Sequence, residues 1–390
     1  MYNSLYYLKK SFAIYPGRIE PVSAPFLADH YRWLQGARAW PRAAIDALVA
    51  LGFQAWIPFR AKAVQKKFGF DDTWRRRTEQ IAKARFVDPN DIALFRIERE
   101  DQLDEYMRRF EDAGLNKVLN PTGWTRDCVL ADKIGFYRRC DEHGLPSPGM
   151  VATVIRGKVG LVREVGEDAL IAKPANGEGG NGVQMLGVPV SAEALEALLD
   201  FRLGRSKWNW VVQPRVPTNP ALADIALSAL PTVRIVTIVN ESGAPEVVSA
   251  TVRVASDPDA HVDNMKAGGI LAPVDLETGA LGVGCKGYGG GDYETHPVTG
   301  APITGRILPQ WTESKALAIR AHAEAFSEYR IIGWDVAMTE DGPLLLEGNG
   351  KPGVLMPQRA ARRGLGVTRY GELIRYHLAA LEGRSDSEIN

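Results

Sequence analysis

The chain has 390 residues, 45% of them hydrophobic and 24% charged, which is normal for a globular protein and too long for one ordinary core. Two or three domains are therefore expected. Lysine plus arginine and aspartate plus glutamate number 47 each, so no overall electrostatic field favours nucleic acid or anionic lipid as a partner.

The cysteines and the apolar runs indicate the cellular compartment of the protein. Its three cysteines are an odd number without CxxC spacing, which argues against a disulfide framework and a zinc knuckle. No run approaches the roughly 18 to 20 apolar residues that span a bilayer, and the first residues lack the apolar core of a secretory signal. We expect a cytoplasmic protein without membrane insertion and without a nucleic-acid partner.

Residues 1–120 are predicted to form a mainly helical region. Apolar and charged positions recur at helical spacing in 24–35, 41–51 and 71–86, with proline and glycine between these stretches. The basic run Arg75–Arg77 is interpreted as a solvated helix face rather than a binding patch.

The last part of this region, residues 88–121, shows a different pattern. ALFRI and KVLNP are short, apolar and strand-like, and they enclose an amphipathic stretch for which Gly114 is the expected C-cap. The pattern predicts a β–α–β unit, which would be a reduced α/β unit at the end of the N-terminal region.

A lysine-bearing helix and a glycine loop come next. The helix is predicted from Asp132 to His143, and a strand over 170–174 ends in Lys173. Four of the six residues from 177 to 182 are glycine, which lets backbone N–H groups surround an anion and lets the loop close as a lid. We interpret the loop as a phosphate site, with a flexible hairpin tip as the alternative. It is not a Walker A loop, because the lysine precedes the glycines, nor a dinucleotide fingerprint, because a strand is expected to follow.

Two predicted strands further along carry arginine. The strand pair between 231 and 256 places Arg234 and Arg253 among β-branched residues. An arginine in a sheet often extends to the edge, and it is also what a phosphate clamp on a rigid scaffold requires. Residues 256–310 are rich in loops, and so long a connection is usually functional or mobile. Within it His296 is interpreted as a turn residue rather than a general base.

The stretch from 331 to 353 is predicted to form a β-hairpin around the turn residues 339–343. If the turn is centred on Asp341, Asp335 and Glu347 lie opposite each other with Cβ atoms about 5 Å apart. Strand alternation returns Asn349 to the same face. Two carboxylates so close raise each other's pKa unless a cation lies between them, and ligation by oxygen alone suits Mg²⁺. A surface hairpin with solvated acids is the alternative.

The order of these motifs resembles the ATP-grasp superfamily, and within it the sugar-transfer-associated branch, which is related to α-L-glutamate ligases. The resemblance covers about residues 120–360. It is carried by ADK at 131–133, AKPANGEGGNGV at 172–183, VVQPRVPTNP at 211–220, LPTVRIVT at 230–237, VDNMKAGG at 262–269, HPVTG at 296–300, GWDVAMTEDGP at 333–343 and LLLEGNGKPG at 344–353. It implies a fold of the α/β (α+β) class in which two α+β subdomains grip ATP, preceded by the mainly helical region.

The resemblance implies a role for each matching residue. The lysines would contact ATP phosphates, the glycine loop would cover them, and a hinge would read the adenine edge. ATP would be bound by Lys133, Lys173, Gly177, Glu178, Gly179, Gly180, Asn181, Gly182, Val183, Gln213, Arg215 and Val216. Catalysis would involve Arg234, Arg253 and Asn264, Mg²⁺ or Mn²⁺ would be held by Asp335, Glu347 and Asn349, and an acceptor loop would contribute Lys266, Gly268, Gly269 and His296. The hinge departs from many superfamily members in carrying Gln213 where they have glutamate.

The activity implied by the resemblance is an Mg·ATP-dependent ligase that activates a carboxylate as an acyl-phosphate and joins it to an amine (or thiol), with cell-surface sugar or amino-acid conjugates as the setting. One alternative is a kinase of the same fold that phosphorylates an acceptor other than a carboxylate. Another is a nucleotide-binding scaffold without catalysis. Residues 121–382 would form the ATP-grasp domain, with a lid subdomain at about 145–213 and a catalytic subdomain at 214–382. The partners would be small-molecule carboxylates and amines, and a homodimer is compatible with the sequence.

Overall fold

The structure is a computed structural model that describes residues 25–37, 40–125, 128–177, 180, 182–227, 229–258, 268–287 and 290–383. Helices and two antiparallel sheets make up this part of the chain. The helices are α1 (Ala28–Ala37), α2 (Trp40–Phe68), α3 (Asp72–Arg85), α4 (Pro89–Phe95), α5 (Arg109–Leu119), α6 (Lys133–Glu142), α7 (Ala192–Leu203), α8 (Ala223–Ala226), α9 (Trp311–Arg320), α10 (Leu355–Ala361) and α11 (Arg369–Leu381). Among the described helices, none combines the length and apolarity needed to cross a membrane.

Side-chain caps begin several of the helices that the sequence predicts. Asp71 Oδ1 accepts a hydrogen bond from the Trp74 amide at 2.6 Å, before α3. Asp132 caps α6 through the amides of Ile134 and Gly135, at 3.2 and 3.3 Å. These contacts satisfy amides that have no partner within the helix, which is why aspartate begins helices so often. The helix predicted over 41–51 is confirmed but longer, since α2 continues to Phe68.

The β–α–β prediction for residues 88–121 is wrong, because both predicted strands are helical. ALFRI contributes to α4, in which every residue is buried, and KVLNP supplies the end of α5. Asp88 caps α4 through the Asn90 amide at 2.8 Å, and proline follows at the first helical position. Capping and packing therefore outweigh the strand-like composition of these short apolar runs. Gly114 lies inside α5 rather than at its end.

The smaller sheet has five strands in the order β2-β1-β5-β3-β4. Its strands are β1 (Ala152–Ile155), β2 (Lys158–Leu161), β3 (Leu170–Pro174), β4 (Gln184–Gly187) and β5 (Trp210–Pro214). Leucines spaced four residues apart on α7 pack on it and form one core with Val212 and Leu170: Leu195, Leu199 and Leu203. The predicted strand that leaves the glycine loop is confirmed as β4.

The larger sheet has seven strands in the order β10-β9-β8-β7-β6-β11-β12. Its strands are β6 (Thr232–Val239), β7 (Pro245–Val254), β8 (Ile270–Pro273), β9 (Gly284–Cys285), β10 (Asp292–Tyr293), β11 (Ile331–Thr339) and β12 (Gly342–Asn349). All nine residues of β11 are buried, including Trp334 in the largest core cluster. A carboxylate on this strand, Asp335, is therefore held in a rigid and mostly apolar setting.

A single buried asparagine connects the helical region to the end of the hairpin. Asn120 follows α5, is 1% exposed, and donates through Nδ2 to the carbonyls of Ile331 at 2.6 Å and Gly350 at 2.9 Å. Its Oδ1 accepts from the Arg330 amide at 2.8 Å. Both ends of the hairpin are thus held by one side chain whose polar atoms are paired, as burial requires.

Candidate active site

The predicted hairpin is formed by β11 and β12, and Asp335 pairs with Glu347 across it. The predicted turn centre is wrong, however. Thr339 pairs with Gly342, so the turn is the two-residue segment between them and not a turn centred on Asp341. Continued without interruption, that register would place Leu346 opposite Asp335. A shift in register at this point restores the pairing, because Leu346 is an extra residue in β12.

Two arginines converge on the Asp335 carboxylate. Arg234 lies opposite Asp335 on β6, and its Nε and Nη2 contact Oδ1 and Oδ2 at 2.5 and 3.2 Å. Arg253 on β7 contacts Oδ2 at 3.0 Å. Burial by itself raises the pKa of Asp335, but the two guanidinium groups outweigh it and the net pKa is lowered. Asp335 is therefore ionised, and the arginines are held at one point of the sheet.

Two lysines approach the same point from different elements. Lys133 begins α6, and its Nζ contacts Glu347 Oε1 at 3.3 Å and donates to the Gly177 carbonyl at 2.6 Å. Lys173 lies on β3, and no described carboxylate forms an ion pair with it. Burial, followed by repulsion from Lys133, lowers the pKa of Lys173 to about 8, while Glu347 and Asp335 oppose the shift. Four cationic side chains thus surround two carboxylates, an excess of positive charge that suits a polyphosphate.

The donor set fits the Mg²⁺ that the resemblance implies. Asn349 Nδ2 is buried without a hydrogen-bond partner. A half-turn of the amide would place its oxygen, the atom that binds Mg²⁺, at this position. A carboxylate has about four lone-pair sites, so the three arginine contacts to Asp335 leave room for one more ligand bond. In the described part of the chain there is no cluster of three or more His, Cys, Asp or Glu side chains, so an ion held here would need ligands from elsewhere, such as phosphate oxygens.

The described part of the glycine loop packs on the strand that carries Lys173. Gly180 and Gly182 have φ values of +72° and +79°, which L side chains rarely adopt. A Cβ on Gly182 would approach Pro174 Cγ at 3.1 Å. The Gly177 carbonyl is the one that accepts from Lys133, and the Val183 amide donates to the Gly180 carbonyl at 3.4 Å. Three predicted lid residues lie outside the described residues: Glu178, Gly179 and Asn181.

Comparison of the chain with known proteins identifies the family to which it belongs. The model of the family described as "sugar-transfer associated ATP-grasp" matches residues 116–369. The chain belongs to this ATP-grasp family. The predicted family and fold class are therefore confirmed, with two antiparallel sheets and a mainly helical N-terminal region. No curated protein matches the chain significantly.

Several solved ATP-grasp and ligase structures are similar at low identity. L-amino acid ligase from Bacillus licheniformis matches at 11% identity and a TM-score of 0.37, over 67% of this chain and 50% of that chain. D-alanine–D-alanine ligase from Bacillus anthracis complexed with ATP matches at 12% and 0.35, over 66% and 68%. Biotin carboxylase from Campylobacter jejuni matches at 14% and 0.39, over 65% and 46%. This ATP-grasp chain thus spans half the length of the L-amino acid ligase.

The predicted hinge, residues 213–216, begins within the last two residues of β5. Gln213 is fully buried, and its Nε2 donates to the Gly149 carbonyl at 2.8 Å while its Oε1 has no hydrogen-bond partner. Arg215 is exposed, although its amide donates to the Ala169 carbonyl at 2.7 Å, and Val216 is half-buried. Gln213, which replaces the glutamate of many superfamily members, is therefore held by a hydrogen bond to the backbone. Its Oε1 remains available as an acceptor.

The predicted acceptor loop is described only in part. Asn264 and Lys266 lie outside the described residues. Gly268 is exposed, with a φ of +86°, and its carbonyl accepts from the Ser256 hydroxyl at 2.7 Å. Gly269 is buried and directly precedes β8, whose Leu271 pairs with Arg253. Gly268 and Gly269 therefore lie one or two residues before β8, the strand that pairs with β7 beside Arg253.

His296 is buried in its own turn. Its side chain is 1% exposed, and Nε2 contacts the Ala255 carbonyl at 2.7 Å. Nδ1 accepts from the amides of Val298 and Thr299, at 3.3 and 3.4 Å. Both ring nitrogens are engaged by backbone, so the side chain offers nothing to an acceptor substrate. These contacts fit the turn interpretation and argue against His296 as a substrate-loop residue.

Two residues that contact elements of the candidate site are missing from the sequence-based set. The Thr232 hydroxyl accepts from Arg253 Nε and Nη2, at 3.0 and 2.6 Å, and so orients the guanidinium. The Tyr137 hydroxyl donates to the Leu346 carbonyl at 2.6 Å. Tyr137 is four residues after Lys133 on α6, and this spacing on a helix placed it on the lysine's face. Nothing in the sequence pattern distinguishes Thr232 from the other β-branched residues of β6.

Proposed function

We propose that this ATP-grasp protein is an Mg·ATP-dependent ligase that converts a carboxylate to an acyl-phosphate and joins it to an amine, with release of ADP and phosphate. The observation that carries the proposal is the convergence of Lys133, Lys173, Arg234 and Arg253 on the facing pair Asp335 and Glu347. The family description favours sugar-conjugate biosynthesis as the setting, with a small carboxylate and a small amine as substrates.

The first step is transfer of the γ-phosphoryl group. The bond from the γ-phosphorus to the oxygen of ADP breaks, and a bond from the same phosphorus to a substrate carboxylate oxygen forms. Such a transfer requires mainly positioning and charge neutralisation from the protein. Arg234 and Arg253 suit this task because Asp335 and Thr232 hold their guanidinium groups on adjacent strands. Neither arginine has to be ordered when substrate binds.

In the second step the amine nitrogen attacks the acyl carbon. A carbon–nitrogen bond forms, phosphate leaves with the electron pair of the carbon–oxygen bond, and the nitrogen loses a proton. The arginines would neutralise the phosphate as it departs. The reaction as proposed needs no nucleophilic side chain.

The lysines and the metal ligands would hold ATP. Lys133 contacts both the Gly177 carbonyl of the loop and Glu347 of the hairpin, so it would connect the lid to the phosphates. Asp335, Glu347 and Asn349 would hold Mg²⁺, or Mn²⁺ in its place. When bound, the ion supplies charge neutralisation at the phosphate oxygens. Gln213 and the residues after it would contact the adenine edge.

The experiment is an ADP-release screen that crosses carboxylic acids with amines, followed by mass analysis of each positive well. We expect ADP and an amide in equal amounts, and hydroxylamine should trap the acyl-phosphate as a hydroxamate. A stable phosphorylated product would instead identify a kinase. Absence of turnover with every pair, together with retained ATP binding, would favour a scaffold.

The matched variants lie on the same hairpin. Glu347→Gln removes a proposed metal ligand, and Glu340→Gln changes an exposed glutamate in the turn. We expect ADP release to fall by about 100-fold or more in the first variant and to stay within about two-fold in the second. Full activity of Glu347→Gln with a correct substrate pair would overturn the proposed role of the hairpin.

A further inference from the structure

The face on which Glu347 lies depends on one extra residue. The pairs from Thr339–Gly342 to Val336–Leu345 follow one register, and its continuation would put Glu347 opposite Trp334. Trp334 is fully buried in the core. Because a slip of one residue moves a side chain to the other face of a strand, that register would take Glu347 away from Asp335 and towards the core. The bulge at Leu346 prevents this.

A bulge leaves its extra residue outside the regular ladder, and a buried carbonyl without a partner is costly. At Leu346 the partner is a side chain from a different element. The Tyr137 hydroxyl, on α6, donates to the Leu346 carbonyl at 2.6 Å. The preceding amide, that of Leu345, donates to the Pro146 carbonyl at 2.9 Å. The outer edge of β12 is thus paired with α6 and the segment after it.

The Tyr137 hydroxyl keeps the proton that it donates to the Leu346 carbonyl. Tyr137 is fully buried, and burial raises the pKa of its hydroxyl, although the adjacent Gln213 side chain opposes the shift. The hydroxyl therefore remains protonated at any working pH. Lys133, one helical turn before Tyr137, contacts Glu347 itself at 3.3 Å. One face of α6 therefore holds two consecutive residues of β12, by a hydrogen bond to the first and an ion pair with the second.

We propose that Tyr137 is a positioning residue that stabilises the bulge at Leu346 and thereby keeps Glu347 beside Asp335 on the metal-binding face. This inference rests on the proposed function in one respect, namely that Glu347 binds the metal of Mg·ATP. The register itself depends on no activity. Tyr137 would act through the backbone of β12, since its hydroxyl donates to the Leu346 carbonyl.

The test compares two tyrosines that each lose only a hydroxyl. Tyr137→Phe removes the contact to the bulge. Tyr329→Phe is the control, because Tyr329 is also buried, at 2% exposed, and its hydroxyl contacts Cys128 Sγ at 3.5 Å rather than β12. Mn²⁺ binding to the protein with ADP, measured by electron paramagnetic resonance, needs no turnover. We expect the Kd for Mn²⁺ to rise about 10-fold or more in Tyr137→Phe and to change by less than about two-fold in the control, as loss of a residue that orients a metal ligand does elsewhere.

Hydrogen exchange separates this inference from the proposed function. Amides of 344–349 should exchange at least about 10-fold faster in Tyr137→Phe than in Tyr329→Phe, with or without metal. Equal exchange in the two variants overturns the inference, even if the wild type binds Mn²⁺. Unchanged Mn²⁺ affinity in Tyr137→Phe with lower resistance to urea also overturns it, because the hydroxyl would then be only structural. A wild type that binds no Mn²⁺ with ADP counts against the proposed function, and the exchange rates still decide the role of Tyr137.

Discussion

Arg234 and Asp335 face each other on neighbouring strands, and one guanidinium group contacts both oxygens of the carboxylate, at 2.5 and 3.2 Å. The pair is mostly buried, since the side chains are 20% and 11% exposed. Asp335 therefore neutralises an arginine that, in the proposed reaction, faces the transferred phosphoryl group. The carboxylate is the connection between the arginines and the proposed metal site.

Asp335→Asn should destabilise the protein and not only inactivate it. Removal of one partner of a buried ion pair leaves the other charge uncompensated, here on two arginines, and typically costs about 3–5 kcal/mol. Urea unfolding measures the loss. The control is Asp341→Asn, since Asp341 is exposed in the turn of the same hairpin. Equal midpoints for the two variants would show that the arginines do not depend on Asp335.

Gly333→Ala should displace Arg234. A Cβ at this position would lie 2.7 Å from Pro352 Cβ, closer than real Cβ contacts, and 3.1 Å from Arg234 Nη1, which is tighter than most of them. We expect a loss of about 1–3 kcal/mol in the free energy of unfolding, as for other overpacked sites, together with a fall in kcat. Gly160→Ala on β2 is the matched control, because the nearest atom to its new Cβ is 3.8 Å away. A normal kcat in Gly333→Ala would show that the guanidinium can shift without consequence.

ATP binding should weaken as the pH rises through about 8. The pKa of Lys173 is lowered to about 8, chiefly by burial, so in the free protein its charge is present below that pH and is lost above it. The Kd for ATP, measured by calorimetry from pH 6.5 to 9.5, should rise by up to about ten-fold per unit above 8. Lys173→Arg keeps its charge over this range and should give a flatter curve. Parallel curves for the two proteins would exclude Lys173 as the titrating group.

The lowered pKa of Lys173 should also make the stability of the folded protein depend on pH, in the direction opposite to that of ATP binding. Between about pH 8 and the ordinary pKa of 10.5, the unfolded chain holds a proton on Lys173 that the folded chain has lost. Stability contributed by this group therefore rises with pH in that window, while ATP binding falls. Urea midpoints without ATP, compared between the wild type and Lys173→Met, should converge as the pH increases from 7.5 to 10. A difference that stays constant would contradict the lowered pKa.

Gln213→Glu, which restores the residue common at this hinge, should be destabilising here. The Nε2 donor to the Gly149 carbonyl would become an acceptor, so a buried carboxylate would face a carbonyl at 2.8 Å. We expect a loss of about 1–3 kcal/mol at pH 7. Because burial raises the pKa of a carboxyl, the loss should shrink below pH 5, when the glutamate is protonated. Gln184→Glu, at a half-buried site on β4, should show neither effect.

Much of the fold could be predicted because local patterns carry it. Capping aspartates and periodic apolar positions indicate α3 and α6, and β-branched runs indicate β6 and β7. The failure at 93–97 has a local cause too, since a short apolar run does not distinguish a buried strand from a buried helix. Its helical state depends on Asp88 and Pro89 just before it and on the surrounding core.

The sequence by itself determined the chemistry of the candidate site: which side chains carry charge, that Asp335 and Glu347 flank one turn, and that glycines follow a strand lysine. Only the tertiary structure decided that the two carboxylates meet, because the true turn places them out of register by one residue. The correction is a bulge at Leu346, and its carbonyl is paired with Tyr137, 209 residues earlier in the chain. Register in an edge strand depends on the partners that its outer N–H and C=O groups find, and those partners come from parts of the chain that no local pattern relates to it.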